Sequence, residues 1–235
     1  MKKFDHKTGK YFTVDDCKIY CEMHGAEDRP VLLFLHGGLS HIEEFNDIIA
    51  ALDDSYRIIG IDSRGQGKST LGKKPLSYGL LQKEVEHILK ELNIQKLSVI
   101  GYSNGATVAL RLAAFTDLEI PRLVAISSPW STKRIAHILE HFSQLTLNIW
   151  KEKCPHYLKD YEKLNPEPDI AQAFNQVLQM ALDKSSSGRP EDAVRNIRSD
   201  TLIISGEEDP LVSQDDVKAL SEHILHASSL HVPSY

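Results

Sequence analysis

A serine lies between two small residues in Gly101-Tyr102-Ser103-Asn104-Gly105, where an apolar run ends and an alanine-rich segment begins. The spacing fits the pattern G-x-S-x-G, in which a strand turns sharply into a helix and the central residue adopts strained backbone angles. Glycine two positions before and two positions after the serine leaves room for neighbouring backbone. The hydroxyl then stands near a helix N-terminus, whose free N–H groups favour developing negative charge. The pattern predicts a nucleophile at Ser103; a packed turn without chemistry is the alternative.

Short apolar runs alternate with helical patterns over most of the chain, and they place this turn inside a sheet. The strand-like runs are KYFTV (10–14), KIYCEMHG (18–25), VLLFL (31–35), YRIIGID (56–62), KLSVIGYS (96–103), IPRLVAISSP (120–129), TLIISG (201–206) and SSLHVP (228–233). The helical patterns among them are HIEEFNDIIAAL (41–52), YGLLQKEVEHILKEL (78–92), NGATVALRLAAF (104–115) and SQDDVKALSEHIL (213–225). This alternation predicts an α/β fold with a mostly parallel central sheet and helices on both faces.

The pattern changes from Trp130 to about Asp200, where we find helical periodicity and no convincing strand. KRIAHILEHFSQLTLNIW (133–150) and DIAQAFNQVLQMAL (169–182) each place apolar residues on one stripe. We predict a core formed by residues 1–130 and 201–235, with a helical segment, 131–200, inserted between two of its strands. Because the stripes are mostly aliphatic and aromatic, we expect an apolar pocket, with simple packing of the helices as the alternative. The stripe residues are Phe142, Leu145, Ile149, Trp150, Phe174 and Met180.

Four motifs together resemble those of the α/β-hydrolase fold superfamily, in its capped, serine-hydrolase (esterase-like) branch. They are HGG (36–38), DSRGQGKS (62–69), GYSNGA (101–106) and SGEEDP (205–210), and their order and spacing match from about Val14 to Val232. The resemblance implies the α/β-hydrolase fold with the segment 131–200 as its cap. It also implies that DSRGQGKS is a structural turn near the mouth of the site, without a chemical role.

The resemblance implies an oxyanion hole beside Ser103. The loop that follows the strand VLLFL would contribute the backbone N–H of Gly38, or that of Leu39, and the helix after the serine would contribute the N–H of Asn104. His36 would brace this loop and would not act as a base. A glycine-rich turn without an oxyanion hole is the alternative.

The same resemblance places the acidic residue of a catalytic triad in the pattern G-x-x-D, which maps onto Gly206 and Asp209. Asp209 would orient the base, and its position after Ser103 agrees with the chain order serine, acid, histidine. Glu207 and Glu208 are the competing carboxylates.

The histidine of the triad should follow the last strand, SSLHVP, but Ser234 and Tyr235 are the only residues after it. We expect the histidine beyond Tyr235. Alternatively, His231 inside the strand pattern serves as the base, or the protein has no base and does not hydrolyse anything. Without a base the serine hydroxyl stays protonated and is a poor nucleophile.

Composition narrows the class of protein. Hydrophobic residues make up 41% and charged residues 26%, as in ordinary globular proteins, and 27 basic against 33 acidic residues give a net charge of 27 − 33 = −6. This balance disfavours nucleic acid and anionic membranes as partners. The longest apolar run, VLLFL, is too short to span a bilayer, and the N-terminal residues do not form a signal peptide. The three cysteines form no disulfide framework, so we predict reduced thiols and a cytoplasmic location.

These observations predict a serine hydrolase that acts on a small carboxylic ester, or on a related thioester, lactone or amide, through an acyl-enzyme intermediate. The 11 histidines are scattered, so we expect no metal site, and the chemistry requires no cofactor. The partner is a small-molecule substrate, and no sequence feature indicates an oligomeric state. The alternative is a non-catalytic α/β-hydrolase relative that binds a small apolar ligand in the same pocket. The RGQGKS run (64–69) lacks the spacing of a phosphate-binding loop.

Overall fold

One eight-stranded sheet forms the centre of the protein. The computed structural model describes residues 3–52 and 54–233, without the side chains of residues 137 and 141. The strands are β1 (Lys10–Val14), β2 (Cys17–His24), β3 (Val31–Leu35), β4 (Arg57–Ile61), β5 (Ser98–Tyr102), β6 (Arg122–Ile126), β7 (Asp200–Gly206) and β8 (Ala227–Val232). Their order in the sheet is β1-β2-β4-β3-β5-β6-β7-β8. β2 is antiparallel to β1 and to β4, and every later pairing is parallel. The predicted α/β fold with a mostly parallel sheet is confirmed.

Helices cover both faces of this sheet. They are α1 (Asn46–Ala50), α2 (Tyr78–Glu91), α3 (Asn104–Phe115), α4 (Ala136–Gln144), α5 (Leu147–Lys153), α6 (Pro155–Leu164), α7 (Ile170–Leu182) and α8 (Gln214–His223), with short 3₁₀ helices at Ile42–Phe45 and Glu191–Asn196. Buried side chains of α2, α3 and α8 pack on one face, and those of α1 and the N-terminal Phe4 pack on the other. β3 and β5 therefore lie in the interior, and their near-continuous apolar runs are what two-sided burial requires.

Four helices, α4 to α7, lie between β6 and β7, which are neighbours in the sheet. The chain therefore leaves the sheet at β6 and returns beside it. The single helical stripe predicted over residues 133–150 is wrong in its continuity: it divides into α4 and α5, because Leu145 is extended and the Thr146 hydroxyl caps α5 by accepting the Ile149 N–H. α6, which begins at Pro155, was not predicted. Whether residues 131–200 act as a cap remains a prediction.

Two further observations concern membrane-spanning helices and the cysteines. No helix in residues 3–52 and 54–233 is long and apolar enough to cross a membrane. Cys17, Cys21 and Cys154 are free thiols.

Candidate active site

Ser103 occupies the turn between β5 and α3 in a backbone conformation that side chains rarely adopt, with φ 52° and ψ −114°. Its N–H donates to the carbonyl oxygen of Ile126 on the neighbouring strand (2.8 Å), while its hydroxyl bonds no residue that the structure describes. A Cβ on Gly101 would lie 2.5 Å from the Gly105 oxygen, and a Cβ on Gly105 would overlap the Leu35 oxygen. Both glycines are therefore needed for the turn to close.

Two backbone N–H groups near this serine have no hydrogen-bond partner among the described residues: that of Asn104, at the start of α3, and that of Gly38, in the loop after β3. The N–H of Leu39, the other residue expected there, donates to the Gln66 side chain (2.5 Å) and is not available. Of the two predicted positions in this loop, only Gly38 has a free donor. Unpaired N–H groups at a helix N-terminus and in an adjacent loop are suited to an oxyanion.

The loop that carries Gly38 is held by two side chains, the half-buried Glu44 and the buried His36. Glu44 accepts the Gly37 N–H (2.7 Å) and the Ser40 hydroxyl (2.6 Å), and burial raises the pKa of its carboxyl to about 7. The Nε2 atom of His36 accepts the Ser63 N–H (2.8 Å), while its Nδ1 lies 2.7 Å from the Gly37 oxygen. Burial lowers the pKa of His36 to about 4, so the ring is neutral at pH 7. Its two bonds fit the bracing role expected for this histidine.

The turn 62–69 is held by hydrogen bonds within it and by bonds to neighbouring parts of the chain. The Asp62 carboxylate accepts the N–H groups of Ile42 (3.0 Å) and Lys68 (2.7 Å), and the buried Arg64 guanidinium pairs with Glu84 (2.5 Å). Gln66 of this turn accepts the Leu39 N–H, so the turn also fixes the loop that carries Gly38.

Asp209 lies in the loop after β7, half-buried. Its Oδ1 accepts the N–H groups of Leu211 (2.8 Å) and Val212 (3.1 Å), which fixes the orientation of the carboxylate. Its Oδ2 is buried without a hydrogen-bond partner among the described residues. Glu207 and Glu208, the competing carboxylates, are exposed. Asp209 is thus the carboxylate with a fixed orientation and an oxygen left to accept a bond.

Ser103 lines two cavities. The first, of about 390 Å³, is open towards solvent and also borders Asp209, Ser127, Val232 and Pro233. It lies at the carboxyl ends of β5, β7 and β8, where ligands bind in open α/β sheets. Ser103 and Asp209 are thus brought to one cavity.

His231, one of the two expected positions for the base, points elsewhere. It lies in β8, with Nδ1 3.0 Å from the Ser205 hydroxyl and Nε2 2.6 Å from the Gln214 side-chain amide. Neither cavity beside Ser103 has it among its described lining residues. His226 borders a groove with Arg122 and Asp200, at the amino ends of β6 and β7 and away from Ser103.

The second cavity, of about 230 Å³, lies between the sheet and the helices of segment 131–200. Four of the six stripe residues line it, whereas Met180 is fully buried in the core and Ile149 is 39% exposed. The lining residues are Gly38, Leu39, Tyr78, Ser103, Asn104, Pro129, Phe142, Leu145, Trp150, Phe174, Val177, Leu178, Ala181, Arg189 and Leu211.

Sequence reasoning missed two polar residues of this cavity. Tyr78 begins α2 and donates its hydroxyl to the Asn104 side chain (2.8 Å), and burial raises its pKa. Arg189 follows α7, in the run KSSSGRP (184–190). Neither has a local sequence signal, because only the fold brings them to the same cavity as Ser103.

Comparisons with known proteins agree with this architecture. Residues 30–145 match the model of the alpha/beta hydrolase fold family. The chain is 30% identical to a "putative esterase/lipase" of Haemophilus influenzae over 111 residues, which are 47% of this chain and 38% of that protein. It is 24% identical to "3-oxoadipate enol-lactonase 2" of Acinetobacter baylyi over 92% of this chain and 85% of that one.

A solved structure of a hydrolase from Pseudomonas aeruginosa superposes with a TM-score of 0.75 at 18% identity, covering 98% of this chain and 92% of that one. At 18% identity, this structural similarity shows the fold alone. The sheet order, the turn at Ser103 and the family match agree with one another, and the chain belongs to the α/β-hydrolase fold superfamily.

Proposed function

We propose that the chain is a serine hydrolase that cleaves a small carboxylic ester, or a related thioester, lactone or amide, through an acyl-enzyme intermediate. The oxygen of Ser103 bonds the carbonyl carbon, and its proton passes through the base to the departing alcohol. The oxyanion is stabilised by the N–H groups of Gly38 and Asn104. Water then cleaves the acyl-enzyme and releases the acid. The esterase/lipase and lactonase names of the two relatives support an ester-type substrate.

One observation carries this proposal: the strained serine at φ 52°, with a hydroxyl that bonds no described residue, beside two free backbone donors. A residue held in such a conformation is costly, and strain of this kind concentrates at functional sites. A turn that served only to pack the sheet would be satisfied by glycine at this position.

The base is proposed to be a histidine that follows β8, beyond Tyr235. β5 and β7 are separated by β6, so Ser103 and Asp209 leave strands about 10 Å apart, two strand spacings. A third group must bridge this gap. The cavity of about 390 Å³ that borders both residues also borders Val232 and Pro233, where the chain leaves β8. The free Oδ2 of Asp209 supplies an acceptor for an imidazole N–H.

The second candidate is the non-catalytic relative that binds a small ligand beside Ser103. The engagement of both ring nitrogens of His231 favours it, because this histidine would have to break two contacts to act as a base.

An active-site serine probe, a fluorophosphonate tag, separates these functions. It is applied to this chain, to a version extended at the C-terminus along its natural reading frame, and to Ser103→Ala of each. We expect labelling of the extended chain that Ser103→Ala abolishes. Ser127→Ala is the matched control, because Ser127 borders the same cavity, also has a positive φ (51°) and should leave labelling intact.

Labelling of the shorter chain at the same rate would place the base among the histidines of residues 1–235, and His231→Gln would then test that residue. Labelling of neither form would reject the hydrolase and favour the ligand-binding relative.

A further inference from the structure

Arg189 is the one charged side chain among the described residues that line the cavity of about 230 Å³. It is only 2% exposed. The rest of the lining is predominantly apolar, so a permanently charged guanidinium at this position is unexpected. Arginine cannot discharge by losing its proton, since its pKa is too high.

Only one of the three guanidinium nitrogens of Arg189 has a hydrogen-bond partner among the described residues. Nη2 donates to the carbonyl oxygen of Ala181, near the end of α7 (2.9 Å), while Nε and Nη1 have no hydrogen-bond partner among the described residues. No described carboxylate lies within 4.0 Å of Arg189. Asp183 is near enough for the guanidinium to contribute to its lowered pKa, but its carboxylate is bonded to Ser185 and Ser187. Buried charges in proteins are normally paired, so this one calls for a counter-ion from outside the chain.

The guanidinium is connected to the reactive end of the cavity through Tyr78. Its central carbon lies 5.7 Å from the centre of the Tyr78 ring, and the Tyr78 hydroxyl donates to the Asn104 side chain (2.8 Å), next to Ser103. About one tyrosine side chain thus separates the positive charge from the proposed oxyanion hole. A short acyl chain could lie along this ring with its carbonyl at Ser103 and its far end at Arg189.

We propose that Arg189 binds a carboxylate at the far end of the substrate, so that this site takes a half-ester of a short dicarboxylic acid or a lactone that carries a free carboxylate. This inference rests on the proposed function for the position of the ester group. It replaces the expectation of a wholly apolar pocket with a cavity that has apolar walls and one cationic end.

The test compares two ligands of equal chain length, methyl pentanoate and monomethyl glutarate, which differ in a terminal methyl or carboxylate. Binding is measured in the Ser103→Ala variant, which keeps the cavity but cannot form an acyl-enzyme, by the fluorescence of Trp150 in the cavity wall and by calorimetry. We expect monomethyl glutarate to bind at least about tenfold more tightly, the equivalent of one charge-assisted hydrogen bond.

Adding Arg189→Met should reduce that preference to less than about twofold, while Arg189→Lys keeps part of it. Arg195→Met is the matched control, because Arg195 is an exposed arginine of the same segment and should leave the preference intact. Circular dichroism checks that each variant folds. The comparison of ligands in Ser103→Ala alone does not depend on any Arg189 variant folding.

Equal affinity for the two ligands, or no saturable binding of monomethyl glutarate, would overturn the proposal. So would a preference that survives in folded Arg189→Met. These results are distinct from failure of the proposed function: a chain labelled at Ser103 without anion preference remains a hydrolase, and a chain that prefers the anion without labelling is a binder of anionic ligands.

Discussion

Replacement of Ser103 by glycine and by alanine separates the backbone strain of the turn from the chemistry of the hydroxyl. Both variants remove the hydroxyl, which bonds no described residue and does not cap α3, so neither loses a hydrogen bond. Only glycine relieves the conformation at φ 52° and ψ −114°. The difference in the free energy of unfolding between the two variants therefore measures strain.

The size of the difference follows from two opposing contributions. A residue in a sparsely populated region of backbone conformation costs about 1–3 kcal/mol. Glycine costs about 0.5–1 kcal/mol relative to alanine, because it has more freedom to lose on folding. We therefore expect Ser103→Gly to be more stable than Ser103→Ala by about 1 kcal/mol.

The assay is urea unfolding followed by circular dichroism, with Ser221 in α8 as the matched control site. There the backbone is helical, and Ser221→Gly should be less stable than Ser221→Ala by about 1 kcal/mol. The two sites should thus show opposite signs. If glycine were also the less stable variant at position 103, the turn would store no strain and the main support for a nucleophile there would be lost.

Three further predictions concern groups around the site. Burial opposes a charge on His6, but its hydrogen bonds with Asp62 and Glu43 outweigh that effect and raise its pKa to about 9. The free energy of unfolding should therefore fall as the pH rises from 6.5 to about 9. His6→Gln should flatten this part of the pH profile measured by urea unfolding. Burial raises the pKa of Glu44 from 4.5 to about 7, so stability should also fall between those values, and Glu44→Gln should remove that slope. Gly101→Ala would bring a Cβ within 2.5 Å of backbone oxygen across the turn, and thermal unfolding should show a loss of about 1–3 kcal/mol.

The positions of the strands and of the serine could be predicted because they depend on local patterns. Apolar runs bounded by glycine define β3 and β5, and the spacing of glycine around Ser103 is a requirement of the turn itself. Which residue of the loop after β3 has a free N–H could be seen only in the structure. The Leu39 N–H donates to Gln66, 27 residues away, and this leaves the N–H of Gly38 free. Long-range contacts of this kind leave no periodic signal in the sequence.

The helices of segment 131–200 were harder to predict for two physical reasons. A continuous apolar stripe over residues 133–150 cannot reveal that one helix ends at Gln144 and that Thr146 caps the next. α6 has a single fully buried side chain, Tyr161, so its apolar pattern is weak. The signal that could have located it is Pro155, which suits the first turn of a helix.

The two ends of the smaller cavity are built by different parts of the chain. Ser103, Asn104 and Gly38 come from turns at the ends of sheet strands, where the geometry is fixed by neighbouring backbone. Arg189 comes from the stretch that follows α7, and it is held there by the carbonyl oxygen of Ala181. A change in this stretch can therefore move or remove the positive charge without disturbing the turn that carries the serine. In the proposed hydrolase, the turns of the sheet would carry the reaction, and Arg189 of segment 131–200 would select the acyl group.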